Sequence, residues 1–447
     1  MAFPNSMCLS QPSKNGVGQW LGFVFASLAF ALPIVWFLSG ADNAIIDKMV
    51  RVMFVLFLLG VGQKAPRIYY KDKLVWLCAL LVLILVLGYI WQRFSLPKEL
   101  FNGSSARKFI PAFCFFVVVA YGISATPKAS PFLLLISAGV GLLVHLSSLP
   151  VDVWLAAWQG GRMDFGLRNP QHAGVIFSTA LLASIFFLPR ASSLPFRVRI
   201  LALPMLVGLI LLMIFGVITT QTRAVWLGLV LSTFIFLLIF AVILLTGRCP
   251  LRRGTLTQAA TIGIGILLAG SVMLYFMNGN FTRRLSEEKI DAATIKEMTQ
   301  LETVPHTSVS VRIGSWVTAL EWIAERPVFG WGGREASKLI KQSLHFDENF
   351  KKEFKHLHNS YLQTLVNVGG AAFMCMIAII FLVAWRTIMA WRREQMPTDV
   401  FLFSCTFFPF WATVNTFEPY IIISAGFLLH AVIGSFVYSW YLRSQNP

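Results

Sequence analysis

Apolar residues run through this chain in blocks of roughly the 20 residues that a helix needs to cross a bilayer core. Short polar connectors separate them. The blocks fall at 18–38, 45–62, 74–92, 109–125, 131–149 and 172–189, then at 200–219, 224–246, 259–277, 361–385, 400–416 and 420–442. They predict about 12 spans. Two are weak: 45–62 opens with Asp47, Lys48 and Arg51, and 400–416 is short and contains Pro409. The first block is longer than the usual 7–15-residue core of a cleavable signal, so it reads as a retained span. The short alternating strands of an outer-membrane barrel are absent from the pattern.

One long polar run interrupts the series, from about Asn278 to Ser360. It divides the chain into helices at 1–277, a large loop at 278–360 and closing helices at 361–447. Within the loop, SVSVRIGSWVTALEWIAE carries Val309, Ile313, Trp316, Leu320 and Ile323 at helical spacing, which predicts one apolar face. Pro327 should end that helix, and Phe329-Gly330-Trp331-Gly332-Gly333 reads as a turn. The fold class is therefore an all-α polytopic membrane protein with one large helical loop.

Composition agrees. The 447 residues are 57% hydrophobic and 13% charged, against 45–50% and about 25% in soluble domains. The net charge of +17 would suggest nucleic acid in a soluble chain. Here much of it sits in alternate connectors, the pattern that fixes cytoplasmic loops. That set includes Lys14, Lys64, Arg67, Lys71, Lys73, Lys128, Arg190, Arg197, Arg199, Arg248, Arg252, Arg253, Arg386, Arg392, Arg393 and Arg443. The loop at 278–360 is nearly neutral, with 12 Lys and Arg against 11 Asp and Glu, so no nucleic-acid partner is expected. It lies on the other side of the membrane, with connectors 150–171 and 220–223. Connector 93–108, with Arg93, Lys98, Arg107 and Lys108, falls on that side too and breaks the charge rule. The six cysteines, Cys8, Cys78, Cys114, Cys249, Cys375 and Cys405, lie outside the large loop and suggest neither disulfides nor a thiolate metal site.

Several residues on that side could carry chemistry. Arg223 sits in a connector so short that its guanidinium must lie at the membrane surface. It is either an interfacial anchor paired with Trp226 or a clamp whose planar fork matches phosphate. Arg312 is either a solvated charge on an amphipathic helix or a second clamp. Trp316 and Trp322 read as packing residues. Arg162 and Arg168, in Gly161–His172, add two cations beside the Asn169-Pro170 turn. His358, preceded by His356, is a structural histidine, a zinc ligand or a proton acceptor. The metal reading lacks an accompanying cysteine or well-spaced carboxylate, and histidine titrates where acid–base work is done. Asn359 could cap the helix that follows and so fix where His358 points. A Gly-rich phosphate loop is not supported, because no Gly-Lys-Ser/Thr follows Gly330-Trp331-Gly332.

In this order, Arg162–Ala173 (RMDFGLRNPQHA), Thr220–Gly228 (TQTRAVWLG), Arg312–Gly333 and His358–Gly370 (HNSYLQTLVNVGG) resemble the bacterial O-antigen ligase and O-antigen polymerase superfamily. Gln221 and Thr222 stand where a serine often precedes the arginine, and Gln171 stands where Asn is frequent. The resemblance implies a twelve-span inner-membrane glycosyltransferase, multi-pass, with its large loop and active site on the periplasmic face. It implies no cofactor and no metal. His358 would be catalytic, Arg223 and Arg312 would hold the pyrophosphate, and Arg162, Arg168, Asn359 and Tyr361 are further candidates for substrate binding.

The partners it implies are a glycan donor on undecaprenyl pyrophosphate, a lipid A–core acceptor and membrane lipids. The ligase moves O-antigen polysaccharide from the first to the second in lipopolysaccharide biosynthesis. Its rivals are the O-antigen polymerase and a protein O-oligosaccharyltransferase of the same superfamily. The latter is usually longer. A lipid-linked glycan transporter would place ionisable residues at mid-span, whereas here they crowd one rim.

Overall fold

The computed structural model describes residues 16–39, 43–61, 71–97, 105–124, 126, 130–246, 308–332, 335–343, 346, 348–353 and 355–445. The expected span 259–277, the first thirty residues of the large loop, Cys8, Cys249 and several basic connectors fall outside them. Among the described residues the chain is helical, with no strand. In order come α1 (Gly16–Leu38), α2 (Asn43–Leu56, running into a π-turn), α3 (Lys73–Ser95), α4 (Ser105–Ser124), α5 (Phe132–Ser147) and α6 (Val151–Trp158). Then follow α7 (Pro170–Ser192), α8 (Phe196–Thr219), α9 (Arg223–Thr246), α10 (Ser308–Glu325), α11 (Glu335–Gln342) and α12 (Glu348–Glu353). The chain closes with α13 (Ser360–Arg392), α14 (Thr398–Asn415), a 3-10 turn at Tyr420–Ile422 and α15 (Ser424–Ser444, with a π-turn inside).

Seven described helices are long and apolar enough to cross a bilayer: α1, α3, α7, α8, α9, α13 and α15. The pair α5 and α6, bent by 94°, makes up to eight. The twelve-span expectation differs at three described places. The block 45–62 becomes α2, where Ile46, Val50 and Met53 are buried while Asp47, Lys48 and Arg51 stay exposed. The block 109–125 corresponds to α4, whose described apolar stretch, Lys108–Ser124, is shorter. The block 400–416 is α14, which is mostly buried and so is free to carry polar groups. Ser404 and Thr406 return their hydroxyls to carbonyls one turn back, Val400 and Leu402.

Outward faces of α3, α8 and α9 expose Leu83, Leu87, Leu201, Met205, Phe234 and Leu237. Such faces suit lipid rather than water. Inside, one core joins α1, α7, α8, α9, α14 and α15, and a second joins α3, α4, α13 and α15. A third, small core lies in the large loop. It gathers Ala319, Trp322, Ala336, Leu339, Ile340, Phe346 and Leu357 onto Val366 of α13. The loop is thus a cap with its own core, seated on the start of α13.

Two charged networks tie the opposite end of the bundle. Asp72, the N-cap of α3, accepts from Tyr121 and Tyr438 at 2.5 Å each, from the Leu74 amide at 2.8 Å and from Arg386. Arg386, expected in a connector, lies buried inside α13 because this carboxylate receives it. A buried ion needs such partners. Arg190 at the end of α7 grips Asp399 at the start of α14 through two bonds, 2.5 and 2.8 Å. The described cysteines, Cys78, Cys114, Cys375 and Cys405, are free thiols.

α13 is broken. Gly369 has φ 75° and ψ 178°, which no helix interior allows. The turn after α10 fills the break. Trp331 and Gly332 donate their amides to the carbonyls of Val366 and Asn367, both at 2.8 Å. In return, Gly370 and Ala371 donate to Pro327 and Val328 at 2.7 and 3.2 Å. The predicted stop at Pro327 and the glycine turn are both present.

Candidate active site

Three chain crossings meet at the end away from the charged networks: the entry to α7, the α8–α9 turn and the entry to α13. At the first, Asn169 caps α7 by accepting from Gln171 N at 2.8 Å, and Pro170 takes the first helical position, where its missing N–H costs nothing. The second is laced to it. Thr222 Oγ1 donates to Pro170 O at 3.3 Å, Met163 N to Thr219 O at 3.1 Å, and Gln221 Nε2 to Gly160 O at 2.8 Å. Arg223 opens α9 from this turn and is half-buried. Arg162 donates through Nε to Thr220 O at 3.3 Å, so it sits beside the same turn. Trp226 is buried and bonded to Val217 O at 3.3 Å, which makes it a packing residue rather than an interfacial anchor.

The third crossing holds His358. Asn359 caps α13, accepting from Tyr361 N and Leu362 N at 2.9 and 3.1 Å. On the other flank Leu357 is fully buried; its amide donates to Gln363 Oε1 at 3.0 Å and its carbonyl accepts from Trp316 Nε1 at 3.1 Å. His358 itself has φ 48°, in the left-handed region. So do Phe165, Arg168 and Gln221, leaving only Glu394 elsewhere among described non-glycine residues. Sparsely populated backbone of this kind gathers at functional sites, where surrounding contacts hold it.

α10 brings Arg312 to this place. Its buried stripe is Ser315, Thr318, Ala319 and Trp322, while Leu320 is exposed. The expected apolar face is therefore rotated, because small side chains let the helix pack closely and Leu320 faces away from the core. Arg312 lies within electrostatic reach of His356 and of Tyr420. Tyr361 donates its hydroxyl to Ala412 O at 2.8 Å and so joins α13 to α14.

The residue that sequence reasoning missed is Glu418. It stands alone in the three-residue gap between two predicted spans, Phe417-Glu418-Pro419, and that isolation was the available signal. Its side chain is 2% exposed. His358 Nδ1 lies 3.0 Å from Glu418 Oε2, and His356 Nε2 lies 3.6 Å from Oε1. The two imidazoles are 4.2 Å apart, ring centre to ring centre. His172 reaches the same carboxylate electrostatically and packs on Tyr420, whose hydroxyl donates to Gln171 O at 3.0 Å. The entries to α7 and α13 are thereby connected through residues 418–420, and Arg168 lies within electrostatic reach of His172.

Burial pushes the Glu418 carboxyl up, but the His358 hydrogen bond and the neighbouring His356 and His172 outweigh it and hold the carboxyl below its usual value. Burial drives His356 down to about 4, aided by His358, His172 and Arg312 and opposed by Glu418. His356 is neutral at pH 7. Ligand-type atoms of His356, His358 and Glu418 fall within 4.8 Å of one another. The carboxylate that the His-x-His pair lacked in sequence is thus present in space, although Glu418 already bonds His358 directly.

The fold and this rim of arginines, histidines and one buried carboxylate describe a polytopic helical membrane protein with a polar cluster at one end of its bundle. Residues 208–377 match the family described as O-antigen ligase, a likeness over that segment that supports the O-antigen ligase/polymerase superfamily. The matched segment contains Arg223, Arg312, His358, Asn359 and Tyr361, but not Arg162, Arg168 or Glu418. No curated protein matches the chain.

Proposed function

We propose that this protein is an O-antigen ligase of the bacterial inner membrane. It transfers O-antigen polysaccharide from undecaprenyl pyrophosphate to lipid A–core at the periplasmic face. The observation that carries this reading is the meeting, at one end of the bundle, of the His358 segment with the Arg312 helix, in a chain whose matched segment is that of the family. In this reading the large loop lies in the periplasm together with the site.

In the reaction, the acceptor hydroxyl attacks the anomeric carbon of the donor sugar. Its proton passes to His358. The bond from that carbon to the phosphate oxygen breaks, and the electron pair leaves with undecaprenyl pyrophosphate. A single displacement of this kind inverts the carbon. The leaving group gains negative charge, and Arg223 and Arg312 neutralise it as donors fixed in advance. Each such contact is worth about 2.7–4 kcal/mol when removed from comparable sites. Arg162 and Arg168 add positive potential that draws the anionic donor to the rim. Apolar faces on α3, α8 and α9 give both lipids a route along the bilayer side.

Purified protein given lipid-linked O-antigen and lipid A–core tests this. The expected product is glycan-bearing lipid A–core with the anomeric configuration inverted. A longer glycan still on its carrier would make the protein a polymerase and overturn the ligase assignment.

A further inference from the structure

His358 is held by more than its own helix. We propose that Glu418 is its positioning residue: a buried carboxylate that fixes the imidazole and offsets the charge it gains when it takes the acceptor's proton. This rests on the reading of His358 as the proton acceptor.

The geometry is specific. Glu418 accepts from His358 Nδ1 at 3.0 Å, so Nδ1 carries the hydrogen and Nε2 is the nitrogen that takes the proton. A ring so held does not turn or exchange tautomers at the moment of attack. The peptide that bears the carboxylate is kept in place by a separate set of bonds. Ser360 Oγ donates to Asn415 Oδ1 at 2.5 Å and lies 3.0 Å from the Glu418 carbonyl, while the Ile421 amide reaches the same hydroxyl at 3.4 Å. The peptide that carries Glu418 is therefore fastened to the helix entry that carries His358. Only Asn359 separates the two attachments at His358 and Ser360, so the imidazole and carboxylate move together.

His356 completes the arrangement. Its Nε2 is 3.6 Å from the other carboxylate oxygen. As a neutral ring it leaves the full negative charge of Glu418 available to the imidazolium of His358. When the acceptor O–H breaks, positive charge appears at His358 while negative charge leaves with the pyrophosphate. Glu418 stabilises the first, at a site 2% exposed, where water screens it little.

Full-length protein in nanodiscs, given lipid-linked O-antigen and lipid A–core, tests the pairing. Glu418→Gln keeps the shape and removes the charge. It should lower kcat on the order of 10²-fold, at the low end of what a positioned proton acceptor contributes. Donor Kd and the KM for acceptor should stay within about twofold. Glu418→Asp restores the charge at a longer reach and should recover part of kcat. In a His358→Ala background, Glu418→Gln should slow the residual transfer no further, because its effect passes through His358. A scaffold role would slow it further and lower the melting temperature as well, which overturns the proposal. So does a Glu418→Gln variant with full kcat beside an inactive His358→Ala. Loss of wild-type transfer to a chelator, restored by zinc, would make Glu418 a metal ligand and also overturn it. Full transfer by His358→Ala is a different failure: it removes the proton acceptor assignment itself, whatever Glu418 does.

Discussion

Gly330 and Gly369 meet backbone to backbone where the cap joins α13. A Cβ on Gly330 would stand 2.6 Å from the Val366 carbonyl oxygen, and one on Gly369 would stand 2.2 Å from that of Val328. Both have positive φ, 65° and 75°. Positive φ with ψ near 180°, as at Gly369, is backbone that essentially only glycine adopts and costs an alanine on the order of 1–3 kcal/mol, and the collision with a carbonyl adds to it. Gly369→Ala should therefore lower the melting temperature of the purified protein and reduce transfer with it. An unchanged melting temperature would show that the junction can give way at no cost.

The arginines and the histidine should separate by step. Arg223→Ala and Arg312→Ala should weaken binding of the pyrophosphate-linked donor and lower kcat on the order of 10²–10³-fold. Arg223→Lys keeps the charge without the fork, so transfer falls while part of the donor binding survives. His358→Ala should cut transfer to a small residual rate and leave donor binding nearly intact. Binding measured on protein of equal abundance decides the matter. Loss of donor binding in His358→Ala would move that residue into the phosphate site.

Much of the local structure is legible in the sequence. The Asn359 cap, the stop at Pro327 and the glycine turn follow from local chemistry, and each is in place. Glu418 was not legible, because its significance depends on a 60-residue return of the chain to His358. A lone carboxylate in a short gap says that something must neutralise it, but not what. Arg386 was misplaced for the same reason: Asp72, 314 positions away, is what lets a guanidinium sit inside a span. The rotated face of α10 has another cause. Apolar periodicity ranks residues by size, whereas close packing at a crossing selects small ones such as Ser315 and Ala319.

Acid should weaken the site in two stages. His356 has an ordinary value of 6.5 that falls to about 4 in the fold. Below pH 6.5 the unfolded chain binds a proton there and the folded chain does not, so stability drops as pH falls from 6.5 to about 4. Glu418, held below 4.5, adds its own loss only below that value. His356→Gln should therefore reduce the slope of the melting temperature between pH 6.5 and 4.5, leaving the part due to His172, which burial also lowers, and the steeper fall below it. The same slope in the variant would assign the first stage to another group.

Sidedness can be read by labelling. With Cys8 and Cys249 replaced by serine, a cysteine at Lys355, exposed near the site, should react with an impermeant thiol reagent added to the periplasm. One at Gln395, exposed at the other end, should not. The reverse pattern would place the site in the cytoplasm.

Transfer should also persist in a strong chelator, since two guanidiniums are assigned the work that a divalent cation does elsewhere. A loss of activity that zinc or magnesium restores would instead assign His356, His358 and Glu418 to an ion.

The break in α13 has a mechanical consequence. A continuous rod of 33 residues would transmit any tilt of its far end to the His358 segment. Divided at Gly369, it is two levers sharing a pivot, and four amide–carbonyl links from the cap act as the pin. While the pin holds, the short lever bearing Ser360 is clamped to the cap and not to the bilayer. Thickness changes and lipid-driven tilt in the long lever are then absorbed at the pivot, and the spacing between His358 and the Arg312 helix is insulated from the membrane that surrounds it.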